Sequence, residues 1–204
     1  MSAQLSPEQR IVHFLNRTSF GPTPKEIEKV GRLGTQAYLS EQLAPETIPD
    51  TATDNKVAEL KTMRMNSREL FELYPPAALA KERGMAMAGA MNSPRFIFLE
   101  LQQARLLRAV QSQRKLYELM VDFWYNHFNV FAAKGADRWL MTPYDRDTIR
   151  PRALGKFRDL LLATAQSPAM LFYLDNWLSV APNAAPARMP AIMRRRGINE
   201  NYAR

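Results

Sequence analysis

Apolar positions in this chain recur at three- and four-residue steps, and no segment alternates apolar with polar as a half-buried strand would. The pattern predicts an all-α protein, an irregular multi-helix bundle with long loops, with residues 1–204 forming part of one helical domain. Helix starts are marked by their chemistry. Ser6-Pro-Glu-Gln9 and Thr23-Pro-Lys-Glu26 each place a hydroxyl at the N-cap, proline at the first helical position and Gln or Glu at the third. Together these satisfy backbone N–H groups that a helix start would otherwise strand. Ile11, Phe14 and Leu15 give the first helix an apolar face, Gly34 ends the second, and Thr35 opens a third that reaches about Leu43.

Further along, Pro45 to Asp54 lacks periodicity and reads as a flexible loop. Helical spacing returns from Lys56 to about Tyr74 and is stopped by Pro75-Pro76. The Ala- and Met-rich stretch to Met91 has high helix propensity but few large anchors, which suits a mobile lid or a helix covered by a partner. Ser93-Pro94 starts a strong helix in which Phe98, Leu101, Arg105 and Arg108 follow at helical steps, with a break near Ser112. The next helix holds FWYNHFNV, Phe123 to Val130. Gly135 marks a loop, Tyr144 to Arg150 a turn or short helix, Phe157 to Gln166 a buried helix, and Ser167-Pro168 the start of another ending near Leu174. Residues 181–197 open on a stretch with three prolines by Pro190 and read as a second flexible loop.

The octet carries the first candidate chemistry. At about 100° per residue, Lys115, Glu118, Asp122, Asn126 and Asn129 form one polar stripe, and Leu116, Met120, Phe123 and His127 fall on the opposite arc. His127 is therefore expected to point inward, among apolar neighbours, where its ring needs a hydrogen-bond partner. One reading is a core histidine held by a carbonyl or carboxylate. The other is a general base or metal ligand at the floor of a pocket. Spacing identifies no metal set, because no histidine stands at the fourth position from His127 and His13 is distant in the chain.

Three other clusters qualify. His13 and Arg17 lie one turn apart on the polar side of the first helix and can grip a phosphate or carboxylate, or serve as a solvated face. In Tyr144-Asp145-Arg146-Asp147-Thr-Ile-Arg150, Asp145 and Asp147 have the spacing of a short metal-binding pattern, but the interposed Arg146 already compensates charge. Salt-bridging is the favoured role, with Asp147 and Arg150 three apart. Arg194-Arg195-Arg196 lacks the interleaved aromatics of a nucleic-acid surface, so nucleic acid ranks last among the partners.

Composition narrows the classes. With 46% apolar and 24% charged residues the chain has the makeup of a globular protein. The absence of cysteine excludes a disulfide framework, a thiolate nucleophile and a cysteine zinc site. MSAQLSPEQR lacks the order of a secretory signal, so as written the chain carries no export address and reads as cytoplasmic. The net charge of +8 is unevenly placed: residues 1–133 hold 16 basic and 14 acidic side chains, and residues 134–204 hold 12 and 6. Such a surplus attracts anions, or complements an acidic segment or partner chain.

Taken in order, His13-Phe-Leu-Asn-Arg17 with Phe20-Gly-Pro22, Phe123-Trp-Tyr-Asn-His-Phe-Asn129, Ile149-Arg-Pro151 with Ala153-Leu-Gly155, Phe157-Arg-Asp-Leu160, Ser167-Pro-Ala-Met170, Tyr173-Leu-Asp-Asn176 and Asn199-Glu-Asn-Tyr-Ala-Arg204 resemble the bacterial family called "domain of unknown function 1800". The resemblance implies a mostly helical fold and no established activity. It also implies relatives that often carry an export signal and that continue past the last motif into an acidic helix. Against that pattern this chain is expected to be truncated at its C-terminus. Asn199 suits an N-cap and Glu200 the positive end of a helix, so residues 199–204 begin a helix of barely one turn.

Three functions compete. The first is a helical scaffold or partner-binding module in which the polar residues fix helix packing. The second is a metal-assisted hydrolase with His127 as base or ligand, Asp145 or Asp147 as catalytic carboxylate, and Asn126, Asn129, Arg146, Arg150, Asn199, Glu200, Asn201 and Arg204 as binding groups. The third is anion or nucleic-acid binding through the basic C-terminal region.

Overall fold

In the computed structural model, residues 5–85, 93–180 and 199–203 are described. They form α-helices α1 (Pro7–Thr18), α2 (Pro24–Leu33), α3 (Thr35–Gln42), α4 (Thr51–Ala58), α5 (Ser67–Leu73), α6 (Ala77–Glu82), α7 (Pro94–Gln111), α8 (Lys115–His127), α9 (Asp137–Pro143), α10 (Phe157–Gln166), α11 (Pro168–Tyr173) and α12 (Glu200–Ala203). No β-strand occurs among the described residues, as an all-α protein requires. No described helix is long and apolar enough to cross a membrane. The chain divides into two compact units, Met1–Arg64 with Glu100–His127, and Met65–Leu99 with Phe128–Arg204.

Local chemistry sets the helix starts of the first unit. The Ser6 hydroxyl accepts from Gln9 N while Gln9 Oε1 accepts from Ser6 N, and Thr23 and Glu26 repeat the arrangement. Gly34 closes α2 with φ of +84°, a backbone region open to glycine, and its N–H donates to the Val30 carbonyl. Leu15, Val30 and Tyr38 then form a core flanked by Ile11, Phe14 and Ile27. The Phe14 and Tyr38 rings meet edge-on with centroids 6.0 Å apart.

Residues 45–54, expected to be a loop, are structured. Pro45–Thr47 forms a 3-10 turn, α4 begins at Thr51, and Ile48, Asp50 and Thr53 are buried. The Asp50 carboxylate accepts from Thr53 Oγ1, Ser112 Oγ and Gln113 N, so a segment with no hydrophobic period is fixed by a side chain about sixty residues away. The helix expected from Lys56 to Tyr74 is three pieces: α4, a 3-10 turn at Lys61–Arg64, and α5. A capping box between Asn66 and Glu69 restarts the last of these.

The second unit has its own core of Leu70, Tyr74, Ile97 and Trp139, with Met65, Phe96 and Ala136 packed around it. The Trp139 indole N–H donates to the Tyr74 carbonyl at 2.9 Å, and its ring meets Phe71 edge-on at 5.1 Å. α9 is an element the hydrophobic spacing did not predict. It is followed directly by a π-helical turn, Tyr144–Ile149, where a turn or short helix was expected. Pro143 offers no N–H to the ladder at this point, and a wider turn is one way for a helix to continue past such a gap. α10 buries only one side: Leu160 and Thr164 are enclosed, whereas Phe157, Leu161 and Leu162 are exposed. α12 starts as expected, with the Asn199 side chain accepting from Asn201 N. The loop expected at 181–197 and part of the Ala- and Met-rich stretch fall outside the described residues.

Candidate functional site

In the first unit, His13 lies exposed on α1 and lines an open groove of about 340 Å³ with Glu8, Gln9, Val12 and Asn16. Arg17 is exposed on the same helix. The expectation of an inward His127 is corrected. His127 is the last residue of α8 and is exposed, with its ring stacked on Phe123 at 6.0 Å and edge-on to Trp124 at 5.7 Å.

The physical reason is that α8 buries a different face. Glu118 of the polar stripe is 6% exposed and Phe123 of the apolar arc 51% exposed, while Leu116 of that arc stays buried and Asn126 of the stripe exposed, so the buried face cuts across both sides assigned from the sequence. Val121 and Tyr125 accompany Glu118 inward. The Arg105 guanidinium of α7 pairs with Asp122 and lies 3.9 Å from the centre of the Tyr125 ring. An arginine that offers both charge and a flat apolar surface makes the polar stripe a packing face. Asn126 folds back onto Asp122, donating to its carbonyl at 2.8 Å and its carboxylate at 3.1 Å. Asn129 is exposed beyond the end of the helix, so it shares no helical stripe with Asn126.

In the second unit, the π turn separates the two nominated carboxylates. Asp145 is fully buried, and Asp147 is exposed. Asp147 takes both prongs of the neighbouring Arg146, Nε to Oδ1 and Nη2 to Oδ2, each at 2.7 Å. Arg146 Nη1 donates to the Met65 carbonyl at 3.0 Å. The hydrogen bond that Arg146 donates to Asp147 outweighs its burial and, with the charge of Asp147, Glu69 and Asp145 behind it, raises the Arg146 pKa further and keeps the group charged. Arg150 is half-buried at the end of the turn. Arg152, which the sequence reading passed over, donates to the carbonyls of Asp147 and Thr148, a cation on the negative end of a helical turn.

Beside this turn lies an open cleft of about 430 Å³ lined by Asp147, Thr148, Arg152, Asp159, Gln166 and Ser167 among others. Asn199 and Glu200 open α12 in the same unit. Asn199 N donates to Ser179 Oγ at 2.9 Å, and the Tyr202 hydroxyl donates to the Ala165 carbonyl at 2.6 Å, which fastens α12 to α10. Asn201 is exposed, and Arg204 lies outside the described residues. His127 belongs to the first unit and Asp145, Asp147, Arg150 and Asn199 to the second. Among the described residues no group of three or more His, Asp and Glu is arranged to hold a metal ion.

The most unusual ionisable group was not among the nominated ones. Asp137, at the start of α9, is 0% exposed, and neither carboxylate oxygen has a hydrogen-bond partner among the described residues. Burial pushes its carboxyl up to about 7, helped by the charge of Asp175 and opposed by that of Lys134. Lys134 is committed elsewhere: its Nζ bonds to Asp175 Oδ1 at 2.9 Å and to the Tyr173 carbonyl. No signal in the sequence marks Asp137, because α5 and α11 pack against α9 from distant parts of the chain.

No curated protein and no solved structure matches the chain. The residues from His13 onward do match a family, the one described as "Protein of unknown function (DUF1800)", over positions 13–204, and the chain belongs to it.

Proposed function

We propose that this chain is a helical scaffold that presents surfaces to a partner, and that the polar residues conspicuous in its sequence serve to join helices. The Asp50 cluster carries this reading. One buried carboxylate collects two hydroxyls and a backbone N–H, and beside it Gln42 spans from Leu116 N at 3.2 Å to the Gln113 carbonyl at 3.0 Å. Such a network commits both oxygens of the carboxylate to groups of the protein itself, and it fixes the approach of α3, α4, α7 and α8 within the first unit. The same economy holds in the π turn, where Arg146 and Arg152 are occupied by Asp147 and by backbone carbonyls.

The competing reading is a hydrolase using His127 or Asp147. Melting curves and turnover of ester and phosphoester substrates, measured on the full chain with His127→Ala and Asp147→Ala, separate the two. A scaffold predicts no turnover above buffer and a His127→Ala change in stability within about 0.5 kcal/mol, the usual range for an exposed position. Turnover that either substitution abolishes, with melting unchanged, would overturn the scaffold reading.

A further inference from the structure

We infer that Lys134, Asp137 and Asp175 form a proton-operated latch on the end of α11. While Asp137 keeps its proton, the Lys134 ammonium holds Asp175 and the Tyr173 carbonyl. When that proton passes to water, the ammonium turns towards the new charge and the end of α11 is released.

The geometry supplies each part. Asp137 is fully enclosed and its two oxygens are without hydrogen-bond partners among the described residues, so the neutral acid is the form the site accommodates and the anion is poorly solvated there. Lys134 is tied to it through the backbone, since Asp137 N donates to the Lys134 carbonyl at 3.0 Å. The ammonium lies 5.5 Å from the centre of the Tyr173 ring and bridges to Asp175 at 2.9 Å, and the ammonium charge that Asp175 thus holds is also the one that favours the Asp137 anion.

Other charges are accounted for. α9 is packed by α5, α11 and the π turn that follows it, where Arg146 is taken up by Asp147 and Asp145 is buried. On α5, Arg68 is paired with Glu72 at 2.8 Å, and Glu69 accepts from Asn66 N at 2.8 Å, all three being exposed. α11 offers no ionisable side chain except Tyr173. On α9 itself, Arg138 lies with its guanidinium over the Trp139 ring and its Nε on the Gly135 carbonyl. The charges that act on Asp137 are those of Lys134 and Asp175, of opposite sign.

Motion of Lys134 has a short route to α11. Gly135, at φ of +48°, is so close to Phe172 that an added Cβ would lie 3.0 Å from its ring. Asp175 sits in the left-handed region at φ of +58°, and the last turn hangs on Leu174 N to the Met170 carbonyl and Asp175 N to the Phe172 carbonyl. Removing the ammonium leaves these bonds to hold that turn alone.

The test is a carbon-detected NMR titration of the Asp137 carboxyl in the full chain, with amide exchange at Leu174 and Asp175 followed from roughly pH 5 to pH 8 and corrected for intrinsic rates. Asp137 is expected to titrate near 7. Protection at the two amides should fall by about tenfold or more across that titration, the ratio that one pK unit of coupling produces. Asp137→Asn, which mimics the protonated acid in shape and charge, should keep the low-pH protection throughout, and Lys134→Met should lack it at every pH. Titration of Asp137 below about pH 5, or the same protection profile in wild type and Asp137→Asn, would overturn the latch. If the Asn variant fails to fold, the wild-type titration and the Lys134→Met profile decide the matter alone.

Discussion

Both units bury a carboxylate of the same residue type, and they treat it in opposite ways. Asp50 in the first unit is surrounded by donors, with Thr53, Ser112 and Gln113 all turned towards it. Asp137 in the second unit is enclosed as tightly and meets no donor among the described residues. A buried charge that is hydrogen-bonded holds elements together, whereas one that is not gives up its charge and becomes sensitive to pH. The first unit is therefore expected to depend on polar contacts for its integrity, and the second to respond to acidity.

The largest effect that distinguishes them is expected from Asp50→Ala. It strands the buried Thr53 and Ser112 hydroxyls together with the Gln113 N–H and should cost about 3–5 kcal/mol, seen as a fall in melting temperature of about 6–20 °C. Retention of wild-type melting would remove the contrast. Next comes the pH response of the second unit. Because the folded Asp137 binds its proton more tightly than the unfolded chain, its favourable contribution is complete below the ordinary carboxyl value near 3.8 and is lost as pH rises through about 7. The loss should amount to about 2–4 kcal/mol between those limits, and Asp137→Asn should flatten it. Denaturant titrations at several pH values supply the comparison.

Smaller effects refine the picture. Gly135→Ala forces a Cβ against Phe172 at a positive φ and should cost the second unit about 1–2 kcal/mol, without altering the first. Asn66→Ala removes the cap that receives Arg68 N and Glu69 N and should cost about 1 kcal/mol, read as fraying of α5 by hydrogen exchange.

What the sequence revealed divides by how far a residue's partners lie along the chain. The starts of α1, α2, α3, α7, α11 and α12 were legible because caps, prolines and the Gly34 turn act over three or four residues. The restart at Asn66 carried an equally local signal, masked by apolar spacing that runs on across the 3-10 turn. α9 stayed hidden because its buried positions, Asp137, Trp139, Met141 and Thr142, fall on no single stripe and include two polar residues. The face of α8 was misassigned for a related reason. Hydrophobic pattern assumes that polar means outward, and Arg105 of α7, which turns Asp122 and Tyr125 into packing partners, enters only in the folded state. Of the nominated residues, Asp145 to Arg150 were placed together by chain proximity alone, whereas Asp50 and Asp137 depend on contacts that no window of sequence contains.

The tryptophans give the two units separate optical signatures. Trp124 belongs to the first, whereas the second holds Trp139, closed in against Phe71, and Trp177, which is largely open to solvent and stacked on Phe172. Chains that keep one indole at a time would emit at different wavelengths, so fluorescence alone can follow whether the halves of this molecule melt in a single step or in succession.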